Sequence, residues 1–146
     1  MRCETTAGSF EAPAGWTALG GVGALEGGEP STERRSIVAS RDALAEGQTP
    51  AAYLEVQRHL LAELLPGFQL LAAEVPDEAT GGVGVLRFRF DLDDAVVEQR
   101  QGFRFADGRV AVLTVTAPAT DPPDPQGEAC LRRAVETFAF ASDDPA

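Results

Sequence analysis

The stretch AVVEQRQGFRF, Ala95 to Phe105, decides how this chain folds. With a period of two, one face carries Val97, Gln99, Gln101, Phe103 and Phe105. The other carries Val96, Glu98, Arg100, Gly102 and Arg104. The first face is apolar at its ends, with two neutral amides in the middle. A strand needing only a core would carry Val or Ile there. Glutamine keeps hydrogen-bonding capacity without adding charge. Turn chemistry places the neighbours. Asp93-Asp94 separates Leu92 from Ala95, and Asp107-Gly108 separates Ala106 from Arg109. Both spacings predict two-residue hairpins. The register then pairs Phe90 with Val97, Phe88 with Gln99 and Leu86 with Gln101. Beyond the second turn it pairs Gln101 with Thr114, Phe103 with Val112 and Phe105 with Val110. Cross-strand partners share a face. One surface therefore collects the aromatic and branched residues, crossed by a polar band of Gln99, Gln101, Thr114 and Thr116. The reverse surface, with Arg87, Arg89, Glu98, Arg100 and Arg104, reads as half solvated.

Working outward, Ser36 to Asp42 and Phe68 to Val75 read as strands, and residues 8–12 as a short one. The glycine-rich run Trp16 to Gly28 alternates weakly, as glycines at bulges or close backbone approaches do. Thr49-Pro50 opens a helix as N-cap and first helical residue, and Pro66-Gly67 closes it. Tyr53, Val56, Leu60 and Leu64 make one apolar stripe on it. Leu54, Gln57, Leu61 and Leu65 make a second, about 100° round. Together they are wider than contact with a single core requires. Pro118 to Gln126 reads as a stiff connector. Residues 127–138 form a second helix with Cys130, Leu131, Ala134, Val135 and Phe138 inward, and Phe140 completes its packing.

The 146 residues suit one domain, 1–146, with an ordered core over about 8–140 and a tail over 141–146. At 44% hydrophobic the chain can bury a core, and it has no run of 18 apolar residues to span a membrane. The N-terminus has no apolar h-region, so a cytoplasmic location is expected. A net charge of −11 argues against nucleic acid and against anionic membranes. Cys3 and Cys130 are far apart, in no metal spacing, and are expected to be reduced. No cofactor or metal is implied.

Catalytic constellations do not stand out. The single histidine, His59, falls on the helix arc expected to face water, with no nucleophile near it in sequence. GGVGALEGG and TGGVGV lack the phosphate-loop lysine and the dinucleotide-binding spacing. Turn preference accounts for Asp91, Asp93 and Asp94. The chain is expected not to be an enzyme.

Five segments in order, GSFEAPAGW, VASRDALAEGQTPAAYLEVQ, LLPGFQLL, VEQRQGFRF and GRVAVLTVTAP, resemble the DcrB-like domain family. The resemblance covers about residues 8 to 140. It extends to the branch of effector-associated (Eag) chaperones of type VI secretion. It implies an α+β, Mog1/PsbP-like fold, an antiparallel sheet flanked by helices. It also implies a homodimer that shields the hydrophobic N-terminal transmembrane segments of effectors carrying a PAAR domain, before export. Carried over by position, the contacts fall on Gln57, Leu61 and Leu65 of the first helix and on Val97, Gln99, Gln101 and Phe103 of the central strand. Val112 of the next strand joins them, as do Val22 and Ala24 near the N-terminus. Neutral amides suit such a groove, because they partner stray polar atoms of an apolar helix without burying an unpaired charge.

Two readings of the amides stand. Either they meet a foreign helix, or Gln57, Gln99 and Gln101 bond within an ordinary core. The second would suit a Mog1/PsbP-like module that binds a folded protein and has no chaperone role. A hydrolase or ligand carrier is a third possibility with no residue in its favour.

Overall fold

The computed structural model describes residues 1–27, 34–77 and 82–141. Most of the expected polar loop over 29–34, most of the loop over 76–82 and all but the first residue of the tail over 141–146 lie outside them. The elements run β1 (Arg2–Glu4), β2 (Gly8–Glu11), β3 (Thr17–Leu19), β4 (Gly23–Leu25) and β5 (Ser36–Ala43), then α1 (Pro50–Leu64). After these come β6 (Gln69–Glu74), β7 (Gly84–Leu92), β8 (Ala95–Ala106), β9 (Arg109–Pro118), α2 (Pro125–Thr137) and β10 (Ala139–Phe140). Seven strands form one antiparallel sheet in the order β3-β4-β5-β9-β8-β7-β6. Three more form a small antiparallel sheet, β1-β2-β10. The fold is α+β.

The two hairpins around β8 have the register their turns predict. Phe90, Phe88 and Leu86 face Val97, Gln99 and Gln101. Thr114, Val112 and Val110 face Gln101, Phe103 and Phe105. Asp107 and Gly108 both take positive φ, 52° and 76°, which matches the strand twist across a two-residue loop. Asp93 does the same at 54°.

Each face of the large sheet has its own core. On one, α1 lays Tyr53 and Leu54 over Leu86, Phe88, Phe90, Val97, Phe103, Val110 and Val112. On the other, α2 and the small sheet cover Ile37, Ala39, Val85, Ala111, Leu113 and Val115 with Phe10, Cys130, Leu131, Ala134, Val135 and Phe138. Gly102 allows the second packing. A Cβ there would sit 2.6 Å from Val135 Cγ2, so a side chain on β8 would hold α2 off the sheet.

Both helices begin on capped prolines. Thr49 Oγ1 accepts from the Ala52 amide at 3.1 Å, with Pro50 at N1. The second helix starts two residues before the expected position. Asp124 Oδ1 accepts from the Gln126 amide at 3.1 Å and Pro125 opens the first turn, so the end of the expected connector is a helix cap.

Three expectations change. The glycine-rich run is a hairpin, β3 and β4, turning at Gly20-Gly21. Gly23 presses against the Ile37 backbone, where no side chain fits. Arg2–Glu4, upstream of the expected ordered core, pairs with β2. The reverse surface is closed at its centre, with Glu98 and Arg100 each 1% exposed, while Arg87, Arg89 and Arg104 around them stay half-buried. The physical reason is α2, whose first turn supplies the opposite charges. Arg100 lies 2.6 Å from Glu98 and donates to the Asp124 carbonyl at 3.0 Å. Arg87 binds Glu128 through two nitrogens, and Arg35 binds Asp124 through two.

Candidate binding trough

On the α1 side, the amide band of β8 continues across three strands. Gln99 Nε2 donates to Thr116 Oγ1 at 3.1 Å, and Gln101 Nε2 makes a long bond to Thr114 Oγ1 at 3.5 Å. Beyond β9, Thr116 faces Ser36, Thr114 faces Val38 and Val112 faces Ser40 on β5. Beyond β5, Val38 faces Gly23 and Ser36 faces Leu25. The floor is thus a lattice of amides, hydroxyls and small apolar groups. Val38 and Ser40 are exposed, and Gln99, Thr114 and Thr116 are half-buried. Gln101 is 8% exposed, and its Oε1 has no hydrogen-bond partner among the described residues. An orphaned buried acceptor costs about 1–3 kcal/mol, so its retention calls for an explanation.

The wall of the trough is α1, and its orientation follows from two contacts. Leu54 lies over Gly84 on β7. Tyr53 stacks edge-on against Phe103 and Phe105 and donates its hydroxyl to Asp42 Oδ2 on β5 at 2.7 Å. Burial and that bond push the Tyr53 phenol well above its ordinary range. The Tyr53 stripe therefore faces the β5 side. Its remaining members are largely bare, with Val56 at 50%, Leu60 at 46% and Leu64 at 73% exposure. An apolar helix flank is left exposed on the side of the sheet that carries the polar band.

The expected contact residues are only partly gathered there. Gln99 and Gln101 lie on the floor, with Val97, Phe103 and Val112 buried around them. Gln57, Leu61 and Leu65 are half-buried, and the two leucines pack on the helix's own core. Val22 is exposed beside the start of β4. Ala24 is placed elsewhere. It is fully buried and faces Ile37 in the core under α2, because alternation along β4 turns it away from Gly23 and Leu25. Val38, Ser40, Val56 and Leu60 were not singled out as contacts. The excess apolar width of the helix was the signal for the last two.

Chemistry elsewhere is sparse. His59 is exposed and lies 3.2 Å from Glu55. Among the described residues no cluster of three His, Cys, Asp or Glu could hold a metal ion. Cys3 and Cys130 are free and buried, and burial pushes the Cys130 thiol up to about 11. A cavity of about 510 Å³ opens on the α2 side beside Trp16, Arg35, Cys130 and Arg133.

Comparison with known proteins settles the family. The DcrB family model matches residues 7–137, both helices and the whole large sheet included. The chain belongs to the DcrB family. No curated protein matches it. Among solved structures, this DcrB-family chain is similar to PA94 of Pseudomonas aeruginosa, a protein of unknown function. That likeness spans 97% of each chain, with a TM-score of 0.64 and 22% identity. It is also similar to LpqN, involved in cell envelope biogenesis of Mycobacterium tuberculosis. There the likeness spans 91% of this chain and 82% of the other, with a TM-score of 0.57 and 20% identity. At such identities the likeness concerns the fold alone. Among the described residues of this DcrB domain, no helix is long and apolar enough to cross a membrane.

Proposed function

We propose that this DcrB-family protein is a non-catalytic cytoplasmic chaperone and adaptor, working as a homodimer. Its client is the hydrophobic N-terminal segment of a secreted effector, of the PAAR-containing type VI class. The segment lies as a helix along the trough, against Val56 and Leu60 on one side and the band of Gln99, Gln101, Thr114 and Val38 beneath. The supporting observation is that Val38, Val56 and Leu60 stay exposed on the side of the sheet that carries the half-buried amide and hydroxyls of Gln99, Thr114 and Thr116. Client hydroxyl or amide groups pair with Gln99, Thr114 and Thr116, while the apolar flank shields the rest at about 25 cal/mol per Å². The net charge of −11 keeps such a loaded complex dispersed.

The test is co-expression with N-terminal apolar segments of PAAR-containing effectors. Rescue of a segment into the soluble fraction, reduced several-fold by Leu60→Glu in the exposed flank, is the expected result. Failure of every such segment to be rescued rejects the reading.

A second reading has one observation in its favour. The chain's own α1 already covers Phe88, Phe103 and Val112. That suits a module that docks a folded protein. Capture of an intact folded domain, with no gain from isolated apolar segments, would select it.

A further inference from the structure

The two helices are held very differently. Five of the thirteen residues of α2 are buried, Gly127, Cys130, Leu131, Ala134 and Val135. Its first turn is also gripped by three arginines, Arg35 just before β5, Arg87 on β7 and Arg100 on β8. Only two of the fifteen residues of α1 are buried, Tyr53 and Leu54, both in its first turn and a half. Among the described residues the side-chain hydrogen bond that ties it to the sheet is Tyr53 to Asp42. Its far end is held by the partial packing of Leu61 and Leu65 and through the backbone, where Pro66 accepts from the Asp91 amide at 2.8 Å. Between these points Gln57 and Leu61 are half-buried, and Val56 and Leu60 are bare. Local stability follows buried apolar contact, and segments with little of it open independently of the rest.

We infer that α1 is an adjustable wall. It opens as a unit from Val56 to Leu64 while the trough is empty, and closes when an apolar helix completes its packing. The inference rests on the proposed function for what fills the trough. The looseness of α1 stands on its own burial pattern. Tyr53 and Asp42 are positioning residues for this wall. A helix that tightens only on its cargo contributes ordering to binding, and can accommodate segments of differing girth.

Hydrogen–deuterium exchange of the full chain tests this, empty and with a lysine-flanked Leu/Ala helical peptide. In the empty chain the amides of residues 56–62 are expected to exchange at least about tenfold faster than those of 130–135. With peptide bound, as judged separately by co-elution, that gap should close to within about threefold. Tyr53→Phe should speed exchange in α1 by several-fold and leave α2 unchanged, while Asp42→Asn, which keeps an acceptor, should not. Equal protection of the two helices in the empty chain overturns the inference, as does a bound peptide that leaves α1 fast. Absence of co-elution counts against the proposed function. The inference then stands or falls on the empty-chain contrast and the Tyr53→Phe result.

Discussion

At the scale of single residues, Gln101 and Gly102 carry opposite meanings side by side. Gln101 leaves Oε1 unpartnered inside the protein, so Gln101→Leu removes a buried polar group and keeps the bulk. Urea denaturation is expected to show stability unchanged or raised by about 1 kcal/mol, while capture of apolar segments falls. A loss of several kcal/mol would mark the amide as structural. Gly102 is purely structural. In Gly102→Ala the new methyl would meet Val135 Cγ2 at 2.6 Å and Leu131 Cδ1 at 3.2 Å. Overpacking of this kind should cost about 1–3 kcal/mol in the same assay. The amides were legible from alternation alone, because two neutral polar residues interrupt an apolar face. The burial of Glu98 and Arg100 was not. Charge on a strand face reads as solvent-facing unless its partners are known, and Asp124 and Glu128 lie more than twenty residues further on.

At the scale of elements, the first turn of α2 is a charged latch. The Arg35 guanidinium holds the Asp124 carboxyl below its ordinary 3.8, against the opposing effect of burial. Arg87 does the same for Glu128, below its ordinary 4.5. A carboxylate with a lowered pKa stabilises the fold fully above its ordinary value. That contribution is lost as pH falls through the lower, folded-state value. The unfolding midpoint should therefore be flat near neutrality and fall below about pH 4. Glu128→Gln should flatten that acid limb and cost about 1–3 kcal/mol at neutral pH, checked by urea titrations at both pH values. The hairpins, by contrast, were readable because Asp107-Gly108 admits one loop length and so one register. The start of α2 was missed because prolines on either side of Asp124 make the cap look like linker. The glycine-rich hairpin gave only weak alternation, so it did not announce that Ala24 turns from the trough.

At the scale of the whole molecule, one sheet separates two cores with different tasks. The α2 side is closed by apolar packing and ion pairs, and the α1 side is left partly open. Cargo binding to the folded form alone should raise the unfolding midpoint with peptide concentration. A hundredfold excess over Kd corresponds to about 2.7 kcal/mol, measurable by thermal melts across a peptide series. An unchanged midpoint at saturating co-elution would mean that the unfolded chain binds the peptide equally. The α+β architecture was readable from strand periodicity and two capped helices. The small third layer was not, because β1 and β10 are three and two residues long and carry no period of their own.

The alternation of β8 has a final consequence, for how the chain avoids mispairing. Gln99 and Gln101 point to one side, and Glu98 and Arg100 to the other. Sliding this strand by a single residue would exchange the two sets. It would strand the carboxylate and guanidinium on the α1 face and push amides against the first turn of α2, at several kcal/mol. The central strand thus proofreads its own alignment during folding, because its two faces carry side chains that cannot trade places.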